Sequence, residues 1–151
     1  MVFDNLSEAE LTFLKEVPVL ATILVAGADG NIDLDEKKAA KELMRVKSYT
    51  AVDELKEFFK EVSDNFPGTL ERLTERYPEN SKARNGEIRE HLKQTQVIFD
   101  KMDRFYSEVF VDTVEELART VAEASGGVLG YLSISKPERR SLHNLAIILA
   151  H

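Results

Sequence analysis

The sequence contains no cysteine and no tryptophan, and only four prolines and seven glycines among its 151 residues. Without cysteine the chain can form neither disulfides nor thiolate metal sites, and a cysteine nucleophile is excluded. Long apolar runs are missing as well, because the most apolar stretch, residues 17–28, is twelve residues long and contains Pro18. A bilayer-spanning helix needs about 20 apolar residues. We therefore expect no transmembrane segment.

Positive charge is in the minority, with 20 Lys and Arg against 27 Asp and Glu, which gives a formal net charge of −7. Nucleic acids and anionic membranes are recognised through concentrated positive charge, so we expect no nucleic-acid partner. The first fourteen residues include Asp4, Glu8 and Glu10 but no base, which is the opposite of a secretory signal. These features favour a cytoplasmic protein.

The composition fits one folded domain, because 43% hydrophobic residues supply a core and 31% charged residues supply a surface. Apolar residues recur at helical spacing, and nothing alternates long enough to require a sheet. The sequence therefore predicts a single all-α domain over residues 1–151 with about seven helices. The apolar stripes lie within residues 52–62, 88–105, 114–122 and 142–149, and breaks fall at residues 29–30, 66–68, 77–78 and 126–127.

Helix starts are predicted by a serine, threonine or aspartate that is followed three residues later by an acid. This is the spacing of a capping box, in which two side chains satisfy the free amides of a first helical turn. The pairs are Ser7/Glu10, Asp33/Glu36, Thr50/Asp53, Asp112/Glu115 and Ser135/Glu138.

An internal repeat relates residues 20–45 to residues 116–149. Val-Ala-Gly-Ala-Asp-Gly at 25–30 matches Val-Ala-Glu-Ala-Ser-Gly at 121–126, and a second matching piece begins at Ile32 and at Ile134. Each copy has the pattern of a small-residue helix that ends at glycine, a loop and a newly capped helix. We expect two related helix–loop–helix hairpins that pack against each other, with both isoleucines buried and residues 50–110 as an intervening helical layer.

The sequence Ala-Asp-Gly-Asn-Ile-Asp-Leu-Asp-Glu at residues 28–36 resembles the A-D-G-x-I-x-x-x-E signature of the TerB-like family. That family includes tellurite-resistance proteins and the N-terminal domain of a membrane-anchored DnaJ-type co-chaperone. The second copy, with Ile134 and Glu138, is similar to the family's more variable second hairpin. The resemblance implies a seven-helix domain in a bacterial stress response of the tellurite-resistance type. It favours a non-catalytic module that binds protein partners.

The acids of the first repeat allow two interpretations. They could bind Ca²⁺, Mg²⁺ or Mn²⁺ weakly, since these cations prefer oxygen ligands. Alternatively they cap a helix and place negative charge at its N-terminus, which accounts for every acid without a ligand. A true EF-hand is excluded, because its first and third positions would be Val25 and Gly27. The acids are Asp29, Asp33, Asp35 and Glu36.

Signatures of common enzymes are missing from the chain. HExxH, GxSxG, a P-loop and GxGxxG do not occur, and neither does the Glu-x-x-His spacing of di-metal bundles. The histidines, His91, His143 and His151, form no recognisable pattern. We therefore expect no catalytic residues and no cofactor. The alternative is a small-molecule-binding or small enzyme domain with a site between the two hairpins.

Three further expectations concern the surface and the core. Two basic patches are short or interleaved with acids, so they are interpreted as solvated surface. Aromatic residues at helical spacing are predicted to be core anchors, and surplus apolar surface could be buried in a two-fold homodimer. The patches are Lys82, Arg84, Arg89, Lys93 and Lys136, Arg139, Arg140, and the aromatic residues are Phe58, Phe59, Phe105 and Tyr106.

Overall fold

A computed structural model describes residues 2–29, 32–124 and 134–150, with Asp29 described by its main chain only. These residues form seven helices of 11 to 21 residues and one of five residues, without a strand. The predicted all-α fold with about seven helices is confirmed. The helices are α1 Glu8–Ala26, α2 Leu34–Thr50, α3 Asp53–Asp64, α4 Phe66–Arg76, α5 Ser81–Leu92, α6 Thr95–Phe99, α7 Arg104–Ala124 and α8 Lys136–Leu149.

Helix α1 is the centre of the core. Every residue from Glu16 to Ala26 is buried, and a helix that is apolar on all sides must be surrounded by other elements. Helices α3, α4, α5, α7 and α8 pack around it. Among the described helices, none combines the length and the apolar character that crossing a bilayer requires.

Helices α7 and α8 of the second repeat segment pack against each other, whereas α1 and α2 of the first make few mutual contacts. These two helix pairs are the first and second hairpins. They contact each other directly, because α7 packs on both α1 and α2, and α8 packs on α1. Of the intervening helices, α3 packs mainly against α2, whereas α4 packs against α1 and α5 bridges α1 and α8. Ile32 and Ile134 pack against the core from its edge and are only partly buried. The prediction that both isoleucines are buried was therefore wrong, since each keeps part of its surface exposed.

Aromatic rings join four segments within the core. Phe58 on α3 stacks on Phe3 with ring centroids 5.3 Å apart and meets Phe110 of α7 edge-on at 5.7 Å. Phe110 in turn contacts Phe99 of α6 at 5.9 Å, and Phe59 meets Phe58 at 5.4 Å. Such arrangements stabilise a core beyond the area they bury. The cluster holds the N-terminal segment, α3, α6 and α7 together.

One buried carboxylate anchors α4 to the central helix. The side chain of Glu16 is buried, and its two oxygens accept hydrogen bonds from Arg72 Nη1 at 3.1 Å and Arg76 Nη1 at 3.4 Å. Both arginines lie one turn apart on α4 and are about half exposed. The desolvated acid is thus compensated by two cations, as a buried charge requires.

Several sequence-based helix predictions were wrong. Thr50 is the last residue of α2, and Val52 precedes α3 without a side-chain cap. Asp112 and Glu115 lie in the middle of α7, so they mark no helix start. The apolar stripe at 88–105 is divided among α5, α6 and α7. Phe105, predicted to be a core anchor, is 55% exposed.

Candidate functional site

The acids of the first hairpin act as a capping box at the start of α2. Asp33 Oδ1 accepts the Glu36 N–H at 2.8 Å, and Glu36 Oε1 accepts the Asp33 N–H at 2.9 Å. Glu36 is only 1% exposed, whereas Asp35 lies on the surface of the first turn. Two of the four candidate ligands are therefore used to begin a helix.

The second hairpin has the same arrangement at the start of α8. Ser135 Oγ accepts the Glu138 N–H at 3.2 Å, and Glu138 Oε1 accepts the Ser135 N–H at 3.1 Å. Glu138 is also 1% exposed. A buried glutamate at the third helical position thus closes a reciprocal cap in both copies. The residues that carry the sequence similarity between the copies perform the same structural task.

Metal binding by the first hairpin stays a prediction. Across residues 2–29, 32–124 and 134–150, no group of three or more acids and histidines is placed to hold a cation. The side chain of Asp29 and residues 30 and 31 lie outside the described residues. Of the four acids of the hypothesised site, Asp29, Asp33, Asp35 and Glu36, the structure describes the side chains of the last three, and two of these form the capping box.

The capping role makes a quantitative prediction. Asp33→Ala should lower the free energy of unfolding by about 0.5–2 kcal/mol, because a lost N-cap has this cost. Asp35→Ala, which removes an exposed acid without a capping bond, should cost less than about 0.5 kcal/mol at moderate salt. Urea denaturation measures both values. A melting temperature raised by millimolar Ca²⁺, Mg²⁺ or Mn²⁺ in the wild type but not in Asp33→Asn would instead identify a metal site.

The two described histidines are both exposed. His91 on α5 has its Nδ1 2.6 Å from the hydroxyl of Tyr77, which is buried after α4. Burial raises the pKa of Tyr77 above its ordinary value. His143 lies on the surface of α8, and His151 is outside the described residues. The buried histidine that would favour an enzymatic site between the hairpins is therefore not found among the described residues.

A buried arginine connects α5 to the end of α1. Arg84 is 6% exposed, and its Nη2 donates to the Gly27 carbonyl at 2.7 Å. Burial lowers the pKa of its guanidinium, and no described carboxylate forms an ion pair with it. A Cβ on residue 27 would lie 2.3 Å from Nη2. Gly27 therefore permits the guanidinium to approach the main chain.

A first groove, the lysine groove, lies between α2 and α4 and has a volume of about 640 Å³. One face of α2 lines it with a leucine and three lysines at positions 34, 37, 38 and 41, and Leu34 is 63% exposed. Helix α4 lines it with Phe66, Leu70, Glu71 and Glu75. The groove thus has an apolar floor, a basic wall and an acidic wall.

A second groove, the basic groove, lies between α5 and α8 and has a volume of about 740 Å³. It brings together members of both basic patches, which are distant in sequence. The sequence placed Arg84 in one patch with Lys82, Arg89 and Lys93, but Arg84 is buried and is not part of this surface. The residues that carry its charge are Lys82, Arg89 and Glu90 of α5, Lys93 directly after α5, and Arg140 of α8.

Sequence reasoning did not identify either groove as a site. The lysines of α2 at positions 37, 38 and 41 share one helix face with Leu34, a pattern that can be read from the sequence. Their apolar floor comes from α4, so its presence could not be predicted. Comparison of the chain with protein-family models, curated proteins and solved structures finds no match.

Proposed function

We propose that the protein is a non-catalytic binding module of the TerB-like kind, acting in the cytoplasm in a bacterial stress response. Its partner is an amphipathic helix with acidic residues along one flank, which docks in the lysine groove. The observation that carries the proposal is an apolar groove whose mouth holds a 63% exposed leucine, Leu34, beside a row of lysines.

The shape of the groove supports a helical occupant. Positions 34 to 41 of α2 span about 10 Å and positions 66 to 75 of α4 about 14 Å, at a rise of about 1.5 Å per residue. Two turns of a partner helix would therefore lie along the floor made by Phe66 and Leu70. Docking an apolar helix face into such a groove is a recurrent mode of peptide recognition.

Charge defines the chemistry of the partner and its orientation. Lys37, Lys38 and Lys41 are exposed, and none forms an ion pair with another residue in the described ranges. The opposite wall carries Glu71 and Glu75. A partner helix with acids on one flank and a base on the other complements both walls, because complementary potentials fix register and suppress wrong partners.

Site-specific cross-linking tests this proposal. A benzophenone amino acid at position 34 should cross-link a protein partner in native host cells, whereas the same group at Val97, which is 58% exposed on α6, should not. The cross-linked segment should have apolar residues at helical spacing and acids on one flank. Equal cross-linking from both positions, no product from position 34, or a segment without acids would contradict the proposal.

The charge of the groove is tested with a synthetic peptide of the cross-linked segment. The double substitution Lys37→Glu and Lys41→Glu should weaken binding by at least about tenfold, about 1.4 kcal/mol. The double substitution Lys136→Glu and Arg139→Glu is the matched control, since it changes the net charge equally and both exposed residues lie at the start of α8, away from the groove. An equal loss in the control would attribute binding to net charge alone.

A further inference from the structure

The basic groove concentrates positive charge in an acidic chain. Lys82 and Arg89 line it from α5, Lys93 from the C-cap of α5, and Arg140 from α8. Its one acid, Glu90, pairs with Lys93. We propose that this groove binds a small ligand that carries two or more phosphate groups. The site is separate from the lysine groove, so the proposal does not depend on the partner helix.

Two largely buried polar side chains provide hydrogen-bond donors at the groove. Asn85 is 7% exposed and Ser141 is 6% exposed, and both line it. Asn85 Oδ1 accepts from Arg84 Nε at 3.3 Å, which leaves the Nδ2 amide as donor. Within the described part of the chain, neither this amide nor the Ser141 hydroxyl has a hydrogen-bond partner. Both groups face the groove without such a partner and are therefore available to the oxygens of a ligand.

The distribution of the cations indicates a ligand with several anionic groups. Lys82 in the first turn of α5 and Lys93 at its C-cap are eleven positions apart, about 16 Å along the helix axis, and Arg89 lies between them. Neither Lys82, Arg89 nor Arg140 forms an ion pair with another described residue. Guanidinium groups bind phosphate through two parallel hydrogen bonds. A chain of phosphates would therefore satisfy several of these groups at once.

The groove has room for such a ligand above Gly86. A Cβ built on Gly86 would meet only the Arg89 guanidinium within 4 Å, at 3.9 Å. A volume of about 740 Å³ also lies within the range of small-molecule sites. The site lies beside the second hairpin and includes Ala28 from the loop of the first. It is thus close to where the alternative sequence interpretation placed a small-molecule site.

Calorimetric titration with inorganic triphosphate at low salt tests the proposal. We expect saturable binding of one triphosphate per chain that weakens as salt is added, because exposed charges are screened. Arg89→Gln and Arg140→Gln should each weaken it about tenfold, about 1.4 kcal/mol. Arg139→Gln is the matched control: it removes the same charge from the neighbouring position of α8 that does not line the groove. Its affinity should match the wild type.

A blocking variant tests the location without removing charge. Gly86→Leu should abolish triphosphate binding by filling the groove, and its melting temperature should not fall, because leucine favours a helix more than glycine does. Triphosphate binding retained by a folded Gly86→Leu protein would overturn the proposal. So would the absence of binding heat, or an equal loss of affinity in Arg139→Gln and Arg140→Gln.

Three further ligands distinguish the sources of the phosphate. Equal affinity for ATP and triphosphate would assign recognition to the phosphates alone, and tighter ATP binding would identify a nucleotide; both results agree with the proposal. Citrate should bind much more weakly than triphosphate. Adenosine binding as tightly as ATP, or citrate binding as tightly as triphosphate, would overturn it.

Discussion

Replacing Phe59 with alanine should lower the free energy of unfolding by about 3–5 kcal/mol, as phenylalanine-to-alanine changes in closed cores do. Phe59 is fully buried on α3 and contacts the ring of Phe58, which also joins the N-terminal segment and α7. A domain of this size is stable by about 5–15 kcal/mol. The substitution should therefore remove a large part of the stability, and urea denaturation at equilibrium measures the loss.

Phe105→Ala is the matched control for this substitution. Phe105 is the same residue type but is 55% exposed at the start of α7, and its ring contact is with the neighbouring Tyr106. Its loss should cost less than about 1 kcal/mol, since it creates no cavity. Similar costs at the two positions would contradict the assignment of Phe59 to the core and Phe105 to the surface.

The second large effect is expected at the contact between Gly27 and Arg84. Arg84→Ala should cost about 1.5–3 kcal/mol, because it removes a charged hydrogen bond to the buried Gly27 carbonyl. Gly27→Ala should cost about 1–3 kcal/mol through overpacking, since its Cβ would lie 2.3 Å from Nη2 and 3.0 Å from Cζ of Arg84. For the Cβ to fit, the guanidinium would have to move away from the Gly27 carbonyl to which it donates.

A double-mutant cycle isolates this contact. Once Arg84 is alanine, the obstacle to a Cβ at position 27 is gone, so the double variant should be about as stable as Arg84→Ala alone. The coupling free energy should reach about 1–3 kcal/mol, which is typical of residues in direct contact. Urea denaturation of the wild type, the two single variants and the double variant measures this coupling free energy. Costs that add within about 0.5 kcal/mol would show that Gly27 does not serve the approach of Arg84.

The sequence predicted the helical fold because its apolar periodicity and three of its capping boxes are local signals. Ser7/Glu10, Asp33/Glu36 and Ser135/Glu138 form reciprocal caps in the structure. The division of residues 88–105 was missed because it depends on tertiary contacts: Gln96 Nε2 donates to the carbonyls of Ile148 at 2.7 Å and Ala150 at 2.9 Å. Periodicity within one segment carries no information about such partners.

The candidate sites were less predictable than the fold. The acids of residues 28–36 were identified, and two of the three whose side chains the structure describes, Asp33 and Glu36, form a cap. The resemblance in these residues therefore indicates a helix start more than a ligand site. The two grooves depend on which helices become neighbours. Arg89 and Arg140 lie in separate patches of the sequence, and they line one groove only because α5 packs against α8.

Amide chemical-shift mapping is the most direct test of whether an acidic amphipathic helix docks in the lysine groove. The isotope-labelled protein would be titrated with the synthetic peptide of the segment cross-linked from position 34. We expect the largest shift changes in residues 32–41 and 66–75, and we expect Lys37→Glu with Lys41→Glu to remove them. Shift changes centred on α5 and α8, or spread over the whole surface, would contradict docking in the lysine groove.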